Sequence, residues 1–375
     1  MRGLLARADL SRYAGQFVWL ELNYDEAKNQ AFFTKYNASA TPSFFIIDPH
    51  DEKVVAAQTG AMSELEITQF LDRGASGVFA KRQTPADAAL KRGDAVLALQ
   101  PAEAAKAYQE ALRLAPPEWP GRELAEASLA GALQDSRQWQ RCAETAAAEA
   151  ALMKRDEFFV RTVVAAMWCL ASADPSAWSN AELERLEPLA QEALSLSVTV
   201  RDHRDSIYRT LMYVSVARND TMAAGEWGNR WLVELDAIKP IDNEERSALD
   251  IARVENIQIY GDPNRVLAAL VESERMMPEN YIASLRLAQM ESLAKHYENA
   301  IGACNRGLAR KPGPNGRAWL LEIKAQALNK KGRTLEARKV LEQAIEAAQE
   351  IPNKMSRDRS LKKIRMALEN QPVAQ

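Results

Sequence analysis

Cys142, Cys169 and Cys304, with His50, His203 and His296, are the side chains with the widest chemical repertoire in this sequence. Nucleophilic, redox and zinc chemistry need such groups at short, set spacings. The cysteines lie far apart in sequence and form no CxxC pair, no zinc spacing and no even-numbered disulfide framework. Each sits in an alanine-rich helical context, so all three are expected as small core residues. The histidines fall in a turn, between helices and in a joint, without HxxxH or HExxH spacing, and no metal site is expected. GxGxxG, GxxxxGK(S/T) and GxSxG are absent, so no nucleotide, no cofactor and no catalytic residue is assigned.

Chemistry of another kind is suggested by "SATPSFFIID", residues 39–48. Proline has no N–H for a sheet ladder and belongs at the first position of a strand or at an edge. Here Pro42 directly precedes Ser43-Phe44-Phe45-Ile46-Ile47, a run apolar enough to be buried on both faces. Asp48-Pro49-His50-Asp51 predicts a tight turn, and residues 53–57 predict the returning strand of a hairpin.

The chain around this hairpin has two parts. Its 375 residues carry a net charge of −3, with 26% charged and 47% hydrophobic residues, which fits a folded chain and not a general nucleic-acid binder. The spacing predicts mixed α/β order over residues 1–78: a helix to about Ala14, a strand at 17–22, a helix over 26–36, the hairpin, and a last helix with Leu65, Ile67, Phe70 and Leu71 on its apolar face. Residues 79–375 read as helix after helix, roughly 15 between positions 85 and 370, joined by short polar or proline-bearing turns. No apolar run approaches the roughly 20 residues that span a bilayer, and residues 1–9 lack the uninterrupted apolar core of a signal peptide. As written, the chain is expected in the cytoplasm; with a true start upstream, the periplasm or the cell exterior becomes open.

The helical part resembles tetratricopeptide repeats, whose 34-residue unit sets small residues where its two helices cross. Ala104, Tyr108, Ala111 and Pro116 match the pattern, as do Ala300, Cys304, Gly307 and Pro312, and then Ala337, Leu341 and Ala344 with Pro352 slightly late. The middle fits less well: Ala224 and Gly228 are followed by a bulky Trp231 where a small residue is expected, and Val266, Leu270 and Ser273 precede Pro278. About seven degenerate helical pairs with a capping helix over 355–370 form an α-solenoid in which each pair hides its apolar face on its neighbours. The resemblance implies recognition of a protein or peptide on the concave side. By repeat spacing, Trp319, Glu322, Gln326, Asn329 and Lys330 point into that groove, where Asn and Lys can hold a peptide carboxylate. Arg357, Arg359, Lys362, Lys363 and Arg365 read as the solvated outer face of the capping helix, and Trp168, Trp227 and Trp231 as packing between repeats.

Residues 1–78 resemble a partial thioredoxin-like fold. The resemblance rests on the strand FVWLELNYD, the helix NQAFFTKYN, the loop ATP with strand SFFIID, and TGAMSELEITQFLDRG for the final turn and helix. It implies a cis bond before Pro42, with Thr41 facing an extended substrate peptide. It also implies thiol–disulfide exchange by a CxxC at the start of the helix before FVWLEL, where a helix N-terminus stabilises a thiolate. That position falls upstream of Met1, together with the central strand of the sheet. The expectation is a protein-binding module, redox-inactive as written, using the Thr41-Pro42 loop and the solenoid groove. The alternative is a thiol–disulfide oxidoreductase whose CxxC lies upstream of a mis-assigned start.

Overall fold

A computed structural model of the chain describes residues 10, 13, 15–24, 26–38, 41–60, 62, 64–79, 84–178 and 180–369. The helix expected up to Ala14 lies almost wholly outside the described residues. Two compact units result, Met1–Arg218 and Asn219–Gln375.

Unit 1 opens with α1 (Gln30–Lys35), entered through a 3-10 turn at Ala27–Asn29, followed by β1 (Ser43–Ile47) and β2 (Val54–Thr59). The strands pair antiparallel with Ser43 opposite Thr59, and the register shifts at Ile46/Ile47. Asp48 and Asp51 make the turn, their carboxylates accepting from the backbone N–H of His50 (2.8 Å) and Lys53 (3.0 Å). The Thr41–Pro42 bond is cis, and the Pro42 carbonyl accepts from the Gly60 N–H at 2.9 Å. One face of β1 meets α1, with Phe45 against the adjacent rings of Phe32 and Tyr36. Its other face meets α2 (Glu64–Phe79), which comes so near that a Cβ on Gly74 would stand 2.3 Å from Ile46 Cδ1.

Two expectations fail here. All five β1 residues are half-buried, not enclosed on both faces, because β2 is the only strand beside β1 among the described residues. Residues 17–22 form no strand, and Val18, Trp19 and Leu20 are exposed. A strand needs a neighbour for its backbone and cover for its side chains; here only Phe17 and Leu22 are half-buried, Phe17 against Tyr13 and the cluster of Ala56, Ile67 and Phe70. The sheet among the described residues is a single two-stranded hairpin, which does not amount to a thioredoxin-like fold.

Helices fill the rest of unit 1: α3 (Pro85–Val96), α4 (Pro101–Leu114), α5 (Arg122–Asp135), α6 (Trp139–Ala150), α7 (Glu157–Ser172), α8 (Asn180–Ser195) and α9 (Arg201–Ala217). Thr84 and Asp87 form a capping box that starts α3, with Pro85 pre-set at its first position. Gly93 leaves room for the buried Tyr108 ring, whose hydroxyl donates to Asp94 at 2.8 Å. Cys142 of α6 and Cys169 of α7 are buried as expected, but they are joined as a disulfide, contrary to the absence of a framework in their spacing. Pairing across a helix–helix contact leaves no local sequence pattern, which is why the spacing missed it.

Unit 2 continues with α10 (Thr221–Ala237), α11 (Asn243–Ile259), α12 (Asn264–Met276), α13 (Tyr281–Leu293), α14 (Tyr297–Ala309), α15 (Pro314–Lys330), α16 (Thr334–Gln349) and α17 (Lys354–Glu369). The repeat is visible in its turns. After α5, α13 and α15 the chain passes through a left-handed residue, Arg137, Lys295 and Gly332. The next N–H then reaches back five residues, from Gln138 to Leu133 O, His296 to Glu291 O and Arg333 to Leu328 O. This six-to-one bond satisfies a carbonyl that the helix end leaves open. The small crossing residues Ala300, Gly307, Ala337 and Ala344 are buried, as the repeat spacing requires.

Candidate functional site

In unit 2 the first helices of successive pairs, α11, α13 and α15, pack on one another, whereas the second helices α12, α14 and α16 do not pack closely together. The first helices thus form one side of this unit, the side that repeat spacing predicts as the inner face. Three large apolar side chains are half-exposed on these helices: Ile251 on α11 (45%), Leu293 on α13 (49%) and Trp319 on α15 (50%). Apolar area held in water on neighbouring elements marks a surface that can be covered.

The polar groups around them fall into two classes. Gln326 and Lys330 are exposed, with Lys330 the last residue of α15. Asn329 is half-buried and its Oδ1 lies out of water with no hydrogen-bond partner. Glu322 departs from expectation: it is buried, not open to the groove, because Lys363 of α17 pairs with its Oε1 at 2.7 Å. Gln326 donates to the same oxygen at 3.1 Å. Of the predicted groove residues, Glu322 and Gln326 are joined by a hydrogen bond, while Trp319 and Lys330 stand about three turns apart on one helix. Thr41 and Pro42 lie in unit 1, where Thr41 is exposed and Pro42 half-buried.

Lys363 is exposed, as expected of a solvated outer face, while its ammonium reaches Glu322. One group is missed by sequence reading. Arg286 of α13 was overlooked, although it lies on the same helix as Leu293. Its Nη1 donates to the Ser247 carbonyl and hydroxyl, both at 2.8 Å. Burial lowers its pKa, opposed by the charge of Asp250, which is itself buried and bound by Arg253 at 3.3 Å. A half-buried guanidinium with donors to spare suits a carboxylate. Among the tryptophans, Trp227 and Trp231 are buried packing residues, but Trp168 is 40% exposed on α7 and is not core.

The remaining perturbed acids are structural. Burial pushes the Glu149 carboxyl of α6 up to about 8, helped by the charge of Glu126, and its Oε2 has no hydrogen-bond partner. A raised carboxyl pKa contributes stability that is full below the unfolded value and lost as pH climbs toward 8. Glu149→Gln should therefore leave stability unchanged at pH 4 and raise it by roughly 1–2 kcal/mol at pH 8, less than the full shift because the side chain is only half-buried. Urea unfolding at both pH values checks this; an equal effect at both would point to packing instead of titration.

No family model matches the sequence, and no curated protein matches it. Solved structures of helical-repeat proteins are similar in part. A tetratricopeptide repeat protein from Parabacteroides merdae is 11% identical, with a TM-score of 0.45, over 75% of this chain and 99% of that one. The TPR2AB-domain:pHSP90 complex of yeast Sti1 is 16% identical, with a TM-score of 0.28, over 75% and 98%. The APC/C hetero-tetramer Cut9–Hcn1 is 11% identical, with a TM-score of 0.32, over 79% and 59%. Superposition is loose in each case, and the helical array stands on its own turns and crossings.

Proposed function

We propose that the chain is a protein-binding module whose helical array holds a peptide segment of another protein and performs no redox chemistry as written. The observation that carries this reading is that Ile251, Leu293 and Trp319 are half-exposed on three first helices of one unit. Apolar side chains left in water on such helices suit the side chains of a bound segment. Gln326 and Lys330 at the open end of α15, with Asn329 behind them, offer donors for its carboxylates, and Arg286 offers a guanidinium. Thr41 and Pro42 are assigned a second contact to extended backbone, since Thr41 is exposed at the mouth of β1.

The oxidoreductase alternative needs a reactive thiolate. Cys142 and Cys169 are joined and buried, and burial pushes the Cys304 thiol up to about 12, so these three residues supply none near neutral pH. A photo-crosslinker at position 319 should capture a defined segment of a partner from the source cell. Trp319→Ala should then weaken that segment about tenfold, or about 1.4 kcal/mol, and Lys330→Glu should weaken it further. Unchanged affinity in a Leu293→Ala, Trp319→Ala, Lys330→Glu triple variant would remove the inner face from consideration.

A further inference from the structure

We infer that this chain folds and operates in an oxidising compartment, such as a periplasm, a secretory lumen or the cell exterior, and that the Cys142–Cys169 bridge is a permanent staple of its array. The bridge joins α6 to α7 across 27 residues of sequence, with the two Cα atoms 5.9 Å apart, inside the span a disulfide bridges without backbone movement. Both cysteines are fully buried. Close to the two cysteines in sequence, Ala143 and Ala146 of α6 and Ala165 and Ala166 of α7 are small and buried.

Burial decides what kind of disulfide this is. Exchange requires a thiolate to reach a sulfur in line, and the bonds that cycle in cells are exposed or have a resolving thiol beside them. Neither condition holds. The remaining cysteine, Cys304, belongs to the other unit, is itself buried, and has its thiol held protonated by that burial. A bond that cannot turn over must form as the chain folds, with an oxidant of the compartment taking two electrons and two protons from the two thiols. Such bonds persist where the thiol pool is not kept reduced and are rare where it is. The partner segment sought by the inner face belongs to the same compartment, although this inference stands on the bridge alone and survives if that face binds nothing.

The test is a thiol count on the whole chain. Protein from its source cell is quenched in acid, denatured and alkylated with and without prior reduction. Without reduction, Cys304 alone should be alkylated and the peptides holding Cys142 and Cys169 should run linked; after reduction, all three should react. Three alkylated cysteines without reduction would overturn the inference. So would the same linked pair in chain retained in a reducing bacterial cytosol, because the bond would then need no oxidising compartment. As a check on the staple, the oxidised chain should melt roughly 5–15 °C above a Cys142→Ala, Cys169→Ala variant. An unchanged melting temperature would remove the structural role.

Discussion

Arg161→Met is expected to destabilise unit 1 by about 3–5 kcal/mol, because it breaks a buried ion pair. Arg161 projects from α7 toward the small α/β part, where its Nε stands 3.1 Å from Glu66 Oε1 of α2 and its Nη2 donates to Gln58 Oε1 of β2 at 3.0 Å. The two charged side chains are only 12% and 2% exposed. One guanidinium thus ties the array to both a strand and a helix of the N-terminal part. Without it, Glu66 loses the cation that faces it at 3.1 Å in a nearly dry site.

The double variant Glu66→Leu, Arg161→Met separates a charge effect from a folding failure. Apolar residues of similar volume in place of a buried pair are often neutral or better, so the double variant should recover most of the loss. Denaturant midpoints of the four chains measure the coupling, and amide exchange in β1 and β2 should speed up in Arg161→Met alone. A loss below 1 kcal/mol in the single variant would mean water already reaches Glu66. Exposed pairs make the contrast: Arg113–Glu110 and Arg275–Glu272 are close in distance but lie in solvent, and breaking either should cost well under about 1 kcal/mol.

The array was legible because each helical pair repeats the same local demands. A small residue is needed where helices cross, a left-handed residue where the first helix ends, and an apolar stripe on a 3.6-residue period. Pro42 and the Asp48-Pro49 turn likewise announced the hairpin, since proline and aspartate act through their own backbone. What was illegible depended on a partner elsewhere in the chain. Residues 17–22 have strand-forming side chains, yet strand propensity is mostly fit to a neighbour, and none lies beside them among the described residues. Repeat spacing assigns Glu322 to the groove, but it says nothing of the surroundings that bury it, nor of Lys363 on the next helix but one, which pairs with it. The Cys142–Cys169 pairing is of the same kind: two unremarkable core positions that became one bond because α6 and α7 meet there.

Trp231→Ala should restore the small residue that the repeat pattern calls for and still destabilise unit 2 by about 3–5 kcal/mol. The equivalent positions in other pairs hold Ala111, Gly307 and Ala344, all buried. At Gly307 the need is plain, since a Cβ there would lie 2.9 Å from both Leu320 methyl carbons of the crossing helix α15. Trp231 is 1% exposed, and its helix α10 packs less closely on α11 than α14 does on α15. These two helices are held at their spacing by polar contacts. Asn256 donates to the Gly228 carbonyl at 2.9 Å, and Arg253 donates to Leu235 O and Asp236, each at 3.2 Å. Truncation therefore leaves a void that the helices cannot readily close, and a void forfeits both transfer and packing energy. Trp231→Phe should recover more than half of the loss. Guanidinium unfolding of the full chain, followed by exchange of amides in α10 and α11, reads the outcome. An alanine variant within 1 kcal/mol of the parent would show that α10 and α11 collapse onto each other, and that the repeat pattern, not the local spacing, sets the geometry here.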